Sequence, residues 1–125
     1  MTILALDLGT KNIGVAISHG VMAEAWKTIS YKSQREEDLF KELNQVIAQQ
    51  KVEKVLIGLP LGRDGKPTRQ SRWTKELGNR IARATQASVE YVEESFSSNA
   101  AGEINTDQEA ARIILEQYLN EAKSS

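Results

Sequence analysis

At 125 residues the chain is the size of one ordinary domain, and 40% hydrophobic against 26% charged residues is the balance of a globular protein with its own core. It has no cysteine, which excludes disulfides and thiolate metal centres and fits a cytoplasmic protein. The net charge of −1 conceals an uneven distribution: over 60–86, Arg63, Lys66, Arg69, Arg72, Lys75, Arg80 and Arg83 face only Asp64 and Glu76, while over 87–125 the acids outnumber Arg112 and Lys123. A basic middle suits phosphates and an acidic end suits a cation, although each also fits a solvated helix face.

In chain order, residues 2–7 are apolar and run into a glycine-containing turn, which predicts a buried strand. Asp7 interrupts the run and no basic segment precedes it, so it is not read as a signal peptide. No apolar stretch approaches the roughly 20 residues of a membrane span, and no membrane association is expected. After a turn at 9–12, residues 14–18 predict a second strand completing a hairpin, and 22–30 a third. Ser33 with Glu36 three residues on fits a capping box, followed by an apolar helical stripe of Leu39, Leu43, Val46 and Ile47. Residues 52–59, closed by Pro60, predict a core strand, returned by that helix to pair parallel with the first.

Residues 61–67 form a loop, and Arg63, Lys66, Arg69 and Arg72 are expected in or just after it, free to reach a nucleic-acid backbone. Trp73, Leu77, Ile81 and Ala84 predict one face of a second helix. Residues 89–92 predict a strand and 97–101 a single helical turn. Thr106 or Asp107 caps a final helix presenting Ala110, Ala111, Ile114, Tyr118 and Leu119 to the core. Trp26 and Trp73 are expected as core or half-buried packing residues rather than base-stacking platforms, and His19 as an ordinary loop histidine. The order β-β-β-α-β-α-β-α predicts one α/β domain over 1–125, its five-stranded mixed sheet antiparallel in the first three strands and parallel after them, with helices flanking it.

Asp7 is the first chemical anomaly, a carboxylate ending an apolar strand where burial without a partner is costly. Alone, it also fits a turn-starting aspartate that accepts backbone N–H bonds. Glu93 and Glu94 end a strand and point to opposite faces, so only one can join Asp7. Asp107 fits an N-cap, yet from that position it can also meet a strand end. Three such oxygens without histidine or cysteine favour Mg²⁺ or Mn²⁺ over Zn²⁺. The segment Asp7-Leu8-Gly9-Thr10-Lys11-Asn12-Ile13-Gly14-Val15-Ala16 sets an acid, a lysine and turn N–H groups together, an arrangement suited to phosphate and a divalent ion. It is similar both to the phosphate hairpin of the actin, chaperone and sugar-kinase ATPases and to the first motif of ribonuclease H-like nucleases. The ATPases need two such domains, which 125 residues cannot supply.

The same segment resembles the opening D-x-G-T-K-x-I-G-V-A motif of the YqgF/RuvX family. Val55-Leu56-Ile57-Gly58-Leu59-Pro60 with Asp64-Gly65 resembles its second motif, and Asp107-Gln108-Glu109-Ala110-Ala111-Arg112-Ile113-Ile114-Leu115 with Tyr118-Leu119 its last. The resemblance implies a ribonuclease H-like fold, metal ligands at Asp7, Glu94 and Asp107, and Lys11 near the scissile phosphate. It implies a Mg²⁺- or Mn²⁺-dependent endonuclease acting on structured nucleic acid, with the 5′ end of the 16S rRNA precursor as the leading substrate. The alternatives are a Holliday junction resolvase and a non-catalytic nucleic-acid or ribosome-associated module. A monomer or weak homodimer is expected, with Lys11, Arg63, Lys66, Arg69 and Arg72 meeting RNA or branched DNA. Two departures stand out. Ser95 replaces the arginine of the family's D-E-R-L-T-T motif, matched here by Glu93-Glu94-Ser95-Phe96-Ser97-Ser98, and the stretch from 95 to 106 is short and lacks lysine and arginine.

Overall fold

A computed structural model describes residues 1–9, 11–30, 35–62, 64–94 and 107–124, apart from the side chains of Glu94, Asp107 and 122–124. The elements are β1 (Ile3–Leu8), β2 (Asn12–Ser18), β3 (Glu24–Ser30), α1 (Glu36–Gln49), β4 (Lys54–Pro60), α2 (Arg69–Thr85), β5 (Val89–Glu94) and α3 (Asp107–Ser124). The five strands form one sheet in the order β3-β2-β1-β4-β5. β1 pairs antiparallel with β2 and parallel with β4, and β4 pairs parallel with β5. The predicted element order and strand directions are therefore those observed.

β1 is apolar on both faces because helices cover both. Leu4, Leu6 and Leu8 enter a core with Ile13, Val15, Val55, Ile57, Leu39 and Leu43 beneath α1 and α2. Ile3 and Ala5 enter a second core with Ala16, Leu56, Ala111, Ile114 and Leu115 beneath α3. Ala5 and Ala16 are small, and Gly14 lies on the same alternating set as Ala16, so α3 settles close over β1 and β2.

Three local expectations are corrected. α1 begins at Glu36, and its cap position is taken by Arg35 without a side-chain cap bond. Glu36 pairs with Arg80 of α2 at 3.0 Å instead of closing a capping box, and Ser33 lies outside the described residues. On α2, Ala84 is exposed and Thr85 is buried, its hydroxyl donating to the Ile81 carbonyl at 2.8 Å. The buried face therefore runs through Ser71, Thr74, Leu77, Gly78, Ile81 and Thr85, which brings three hydroxyl residues into a stripe expected to be apolar. Trp26 is 36% exposed, because the β2–β3 register shifts between Val15 and Ala16 and leaves β3 one residue longer than its partner at Trp26. Trp73 packs against the first core as expected. The turn expected at 97–101 lies outside the described residues.

Candidate active site at the carboxyl edge of the sheet

β1, β4 and β5 run parallel, so their carboxyl ends share one edge of the sheet. The chain leaves β1 toward β2 and later returns to β4 on the other side of β1. The crevice beyond such strand ends, where the order reverses, is the usual ligand position in open α/β sheets. Asp7 is half-buried one residue before the end of β1. Alternation puts it on the α3 face, since Ala5 lies in the α3 core while Leu6 and Leu8 lie in the other. The Gly9 amide bonds the carbonyls of Asp7 and Asn12 at 3.1 and 3.0 Å, closing the turn that carries exposed Lys11.

At the end of β5, Tyr91 packs with the α1/α2 core and Val92 with the α3 core. Alternation then assigns position 94 to the α3 face and position 93 to the other, where Glu93 is exposed. Leu6 pairs with Ile57 and Ile57 with Tyr91. Position 94 thus lies two strand spacings from Asp7, about 10 Å across the sheet, and about 7 Å further out along it. Between them β4 carries Gly58, which has no side chain to block the gap.

Two described contacts fix the direction of α3. Near its start the Thr28 hydroxyl donates to Gln108 Oε1 at 3.3 Å. Near its end Lys54 Nζ donates to Tyr118 Oη at 2.8 Å and lies 5.3 Å from that ring's centroid. Thr28 pairs with Gly14, which pairs with Asp7, whereas Lys54 pairs with Ile3. α3 therefore runs antiparallel to β1, and its first residue, Asp107, begins at the edge that carries Asp7. Further along, Arg112 pairs with Glu109 at 2.7 Å and with Glu116. The Glu109 contact chiefly raises the guanidinium pKa, and the charge of two acids in the carboxyl-terminal segment is taken up within the helix.

The side chains of Glu94 and Asp107, and Thr10, Arg63 and Ser95 entirely, lie outside the described residues. Among the described residues no three His, Cys, Asp or Glu side chains gather into a metal-sized cluster. His19, near Thr2 at 3.4 Å, sits at the opposite end of the sheet, because Ser18 pairs with Ile3.

The basic segment follows β4 at the same edge as Asp7. Among its described residues, the Gly62 amide bonds the Lys66 carbonyl at 3.0 Å, the Gly65 amide bonds the Gly62 carbonyl at 2.8 Å, and Asp64 Oδ1 accepts the Lys66 amide at 3.0 Å. Gly65, with φ 76°, supplies the left-handed turn. Thr68 then caps α2 reciprocally with Ser71. Lys66, Arg69 and Arg72 are exposed at the carboxyl edge. α2 runs back along β4, so Arg80, paired with Glu36, and exposed Arg83 lie toward the far end.

A family model described as RuvX, Holliday junction resolvase, matches residues 1–121. The chain belongs to this family. A "Putative pre-16S rRNA nuclease" of Burkholderia cenocepacia (strain HI2424) is 32% identical over 133 residues, covering 96% of this chain and 89% of the relative. One of Burkholderia mallei (strain SAVP1) is 34% identical over 128 residues, covering 95% and 88%. Among solved structures, T. thermophilus RuvC in complex with Holliday junction substrate superposes with a TM-score of 0.61 at 11% identity, covering 98% of this chain and 96% of that one. A second Thermus thermophilus RuvC structure gives 0.54 at 12% identity, covering 96% and 81%. The fold is therefore ribonuclease H-like, as in RuvC, and the family is one of nucleases. No helix among the described residues is long and apolar enough to cross a membrane.

Proposed function

We propose that this RuvX-family chain is a Mg²⁺- or Mn²⁺-dependent endonuclease that cuts structured nucleic acid, with the 5′ end of the 16S rRNA precursor as its substrate. The observation that supports the reading is topological: the end of β1 with Asp7, the end of β5 and the start of α3 lie at the same edge of the sheet. Asp7, Glu94 and Asp107 would hold the cation, and Gly58 leaves the space over β4 across which Asp7 and Glu94 would approach it. The donor chemistry fits, since hard carboxylate oxygens with no cysteine in the chain suit these ions. When bound, such an ion activates water and stabilises the leaving oxygen of a phosphodiester. Lys11, on the turn after β1, would meet the scissile phosphate. Arg63, Lys66, Arg69 and Arg72 would hold the flanking backbone, on a segment braced by its own hydrogen bonds. The working form in the cytoplasm would be a monomer or weak homodimer.

The test is cleavage of an RNA carrying the 16S 5′ precursor end, with Mn²⁺ or with chelator. Wild type should cut in the metal, and Asp7→Asn should abolish cutting while the protein remains folded. Metal-dependent cleavage by pure Asp7→Asn protein would exclude the assigned site. The likeness to a RuvC solved with Holliday junction substrate supports a second reading, cleavage of branched DNA, and a four-way junction assayed in parallel decides between them. Chelator-resistant binding of RNA with no cleavage under any condition would instead mark a binding module, in keeping with Ser95 at the place of the arginine in the family motif this segment resembles.

A further inference from the structure

α3 holds Asp107 in its first turn, and among the described side chains of α3 the first fully buried in the core is Ala111, one turn later. Gln108, Glu109 and Ala110 are only half-buried. Apolar packing therefore anchors the middle of the helix and leaves the turn with Asp107 to be held by other means. One side-chain hydrogen bond that ties this turn to the sheet runs from Thr28 Oγ1 to Gln108 Oε1 at 3.3 Å. Thr28 occupies a telling place on β3. It pairs with Gly14, and Gly14 pairs with Asp7, so Thr28, Gly14 and Asp7 form one row across the sheet. Gly14 has no side chain, which lets a helix residue lean across β2 to reach Thr28 on the edge strand. The polar tether thus references the start of α3 to the row that contains Asp7. The far end of α3 has its own tether, Lys54 to Tyr118 and Glu90, in the region of Ile3.

From this we propose that Thr28 and Gln108 are positioning residues for the cation site, setting the start of α3 at a fixed height over Asp7 so that Asp107 and Asp7 can share one ion. The inference rests on the reading of Asp7, Glu94 and Asp107 as ligands. Neither residue touches the ion or the nucleic acid. Groups that hydrogen-bond metal ligands from behind are worth about 10- to 100-fold in metal affinity, and Thr28 and Gln108, one step further from the ion, should be worth about tenfold or less.

The experiment is calorimetric titration of the apo protein with Mn²⁺ alone, alongside thermal melting of each variant. Wild type should bind Mn²⁺, and Asp7→Asn should lose most of that affinity. Thr28→Val keeps the shape and β preference of the side chain and removes the hydroxyl, and Gln108→Leu removes the other partner. Each should weaken Mn²⁺ binding about fivefold to tenfold with little change in melting temperature. Thr28→Ser should restore the affinity. Tyr118→Phe, which cuts the tether at the opposite end of α3, should leave Mn²⁺ affinity unchanged. If Asp7-dependent Mn²⁺ binding is present and Thr28→Val leaves it intact, the positioning role is overturned while the site stands. If Tyr118→Phe weakens Mn²⁺ binding as much as Thr28→Val, the tether is only structural and the inference again fails. Absence of Asp7-dependent binding in wild type would overturn the site assignment, and this inference with it.

Discussion

Gly78 is where α2 comes closest to the sheet, and adding one carbon there has a calculable consequence. A Cβ at position 78 would meet Tyr91 Oη at 2.5 Å, with Ile57 Cδ1 and Tyr91 Cε1 at 3.0 Å. The tyrosine cannot simply retreat, because its hydroxyl bonds the Lys75 carbonyl at 3.0 Å and Asn79 Oδ1 at 2.7 Å on the same helix. Overpacking of this kind costs about 1–3 kcal/mol, and displacing the hydroxyl costs about 1 kcal/mol more for each bond lost. Against this, alanine favours a helix interior over glycine by about 1 kcal/mol. With the hydroxyl's one donated bond lost, Gly78→Ala should therefore destabilise by about 1–3 kcal/mol, which for a domain of this size lowers the melting temperature by about 4–12 °C. The assay is thermal melting by circular dichroism, repeated in a Tyr91→Phe background. Removing Oη removes the 2.5 Å contact, so Gly78→Ala should there cost less than about 0.5 kcal/mol. An unchanged or raised melting temperature in the wild-type background would refute the packing argument. The same contact seats α2 on β4 and β5, and so bears on where Arg69 and Arg72 stand relative to the strand ends.

Other perturbations follow from single features. Thr74 is 1% exposed with no hydrogen-bond partner for its hydroxyl among the described residues, so Thr74→Val should stabilise by about 1 kcal/mol in urea melts. Gln86 ends α2 in the left-handed region at φ 57°, and Gln86→Gly should raise stability by about 0.5–1 kcal/mol, where a loss would show that its side chain holds the cap. Burial raises the Tyr91 pKa above 10.0, and the hydrogen bonds that Lys54 donates to Tyr118 and then Glu90 raise its own above 10.5. A raised folded pKa adds stability below the unfolded value that is lost as pH climbs through the folded one, so stability should fall above about pH 10, and Tyr91→Phe should flatten part of that limb. Arg69→Glu with Arg72→Glu should weaken RNA binding at every sequence and shallow its salt slope without altering Mn²⁺ affinity, and identical slopes would place the nucleic acid elsewhere.

The sequence alone determined the order and type of the elements, which depend mostly on local period. The apolar run of β1, the stripe of α1 and the closing Pro60 of β4 were legible because a strand buried on both faces and an amphipathic helix each leave their own spacing. So was the candidate acid at position 7, since a carboxylate ending a buried strand contradicts its surroundings. Tertiary structure decided what depends on neighbours distant in the chain. Which side of α2 is buried was settled by the close seat of Gly78 on Tyr91 and by Thr85 turning its hydroxyl back to Ile81, so Ala84 fell to solvent although its period fitted the core. Trp26 was turned outward by a register shift on an edge strand that no local pattern announces. Arg80 found its acid 44 residues away, and Thr28 found Gln108 80 residues away, on elements joined only when α1 meets α2 and α3 crosses the sheet. The same reason governs the site: each strand or helix end can be read locally, but a common edge exists only once three parallel strands and an antiparallel helix have been laid side by side.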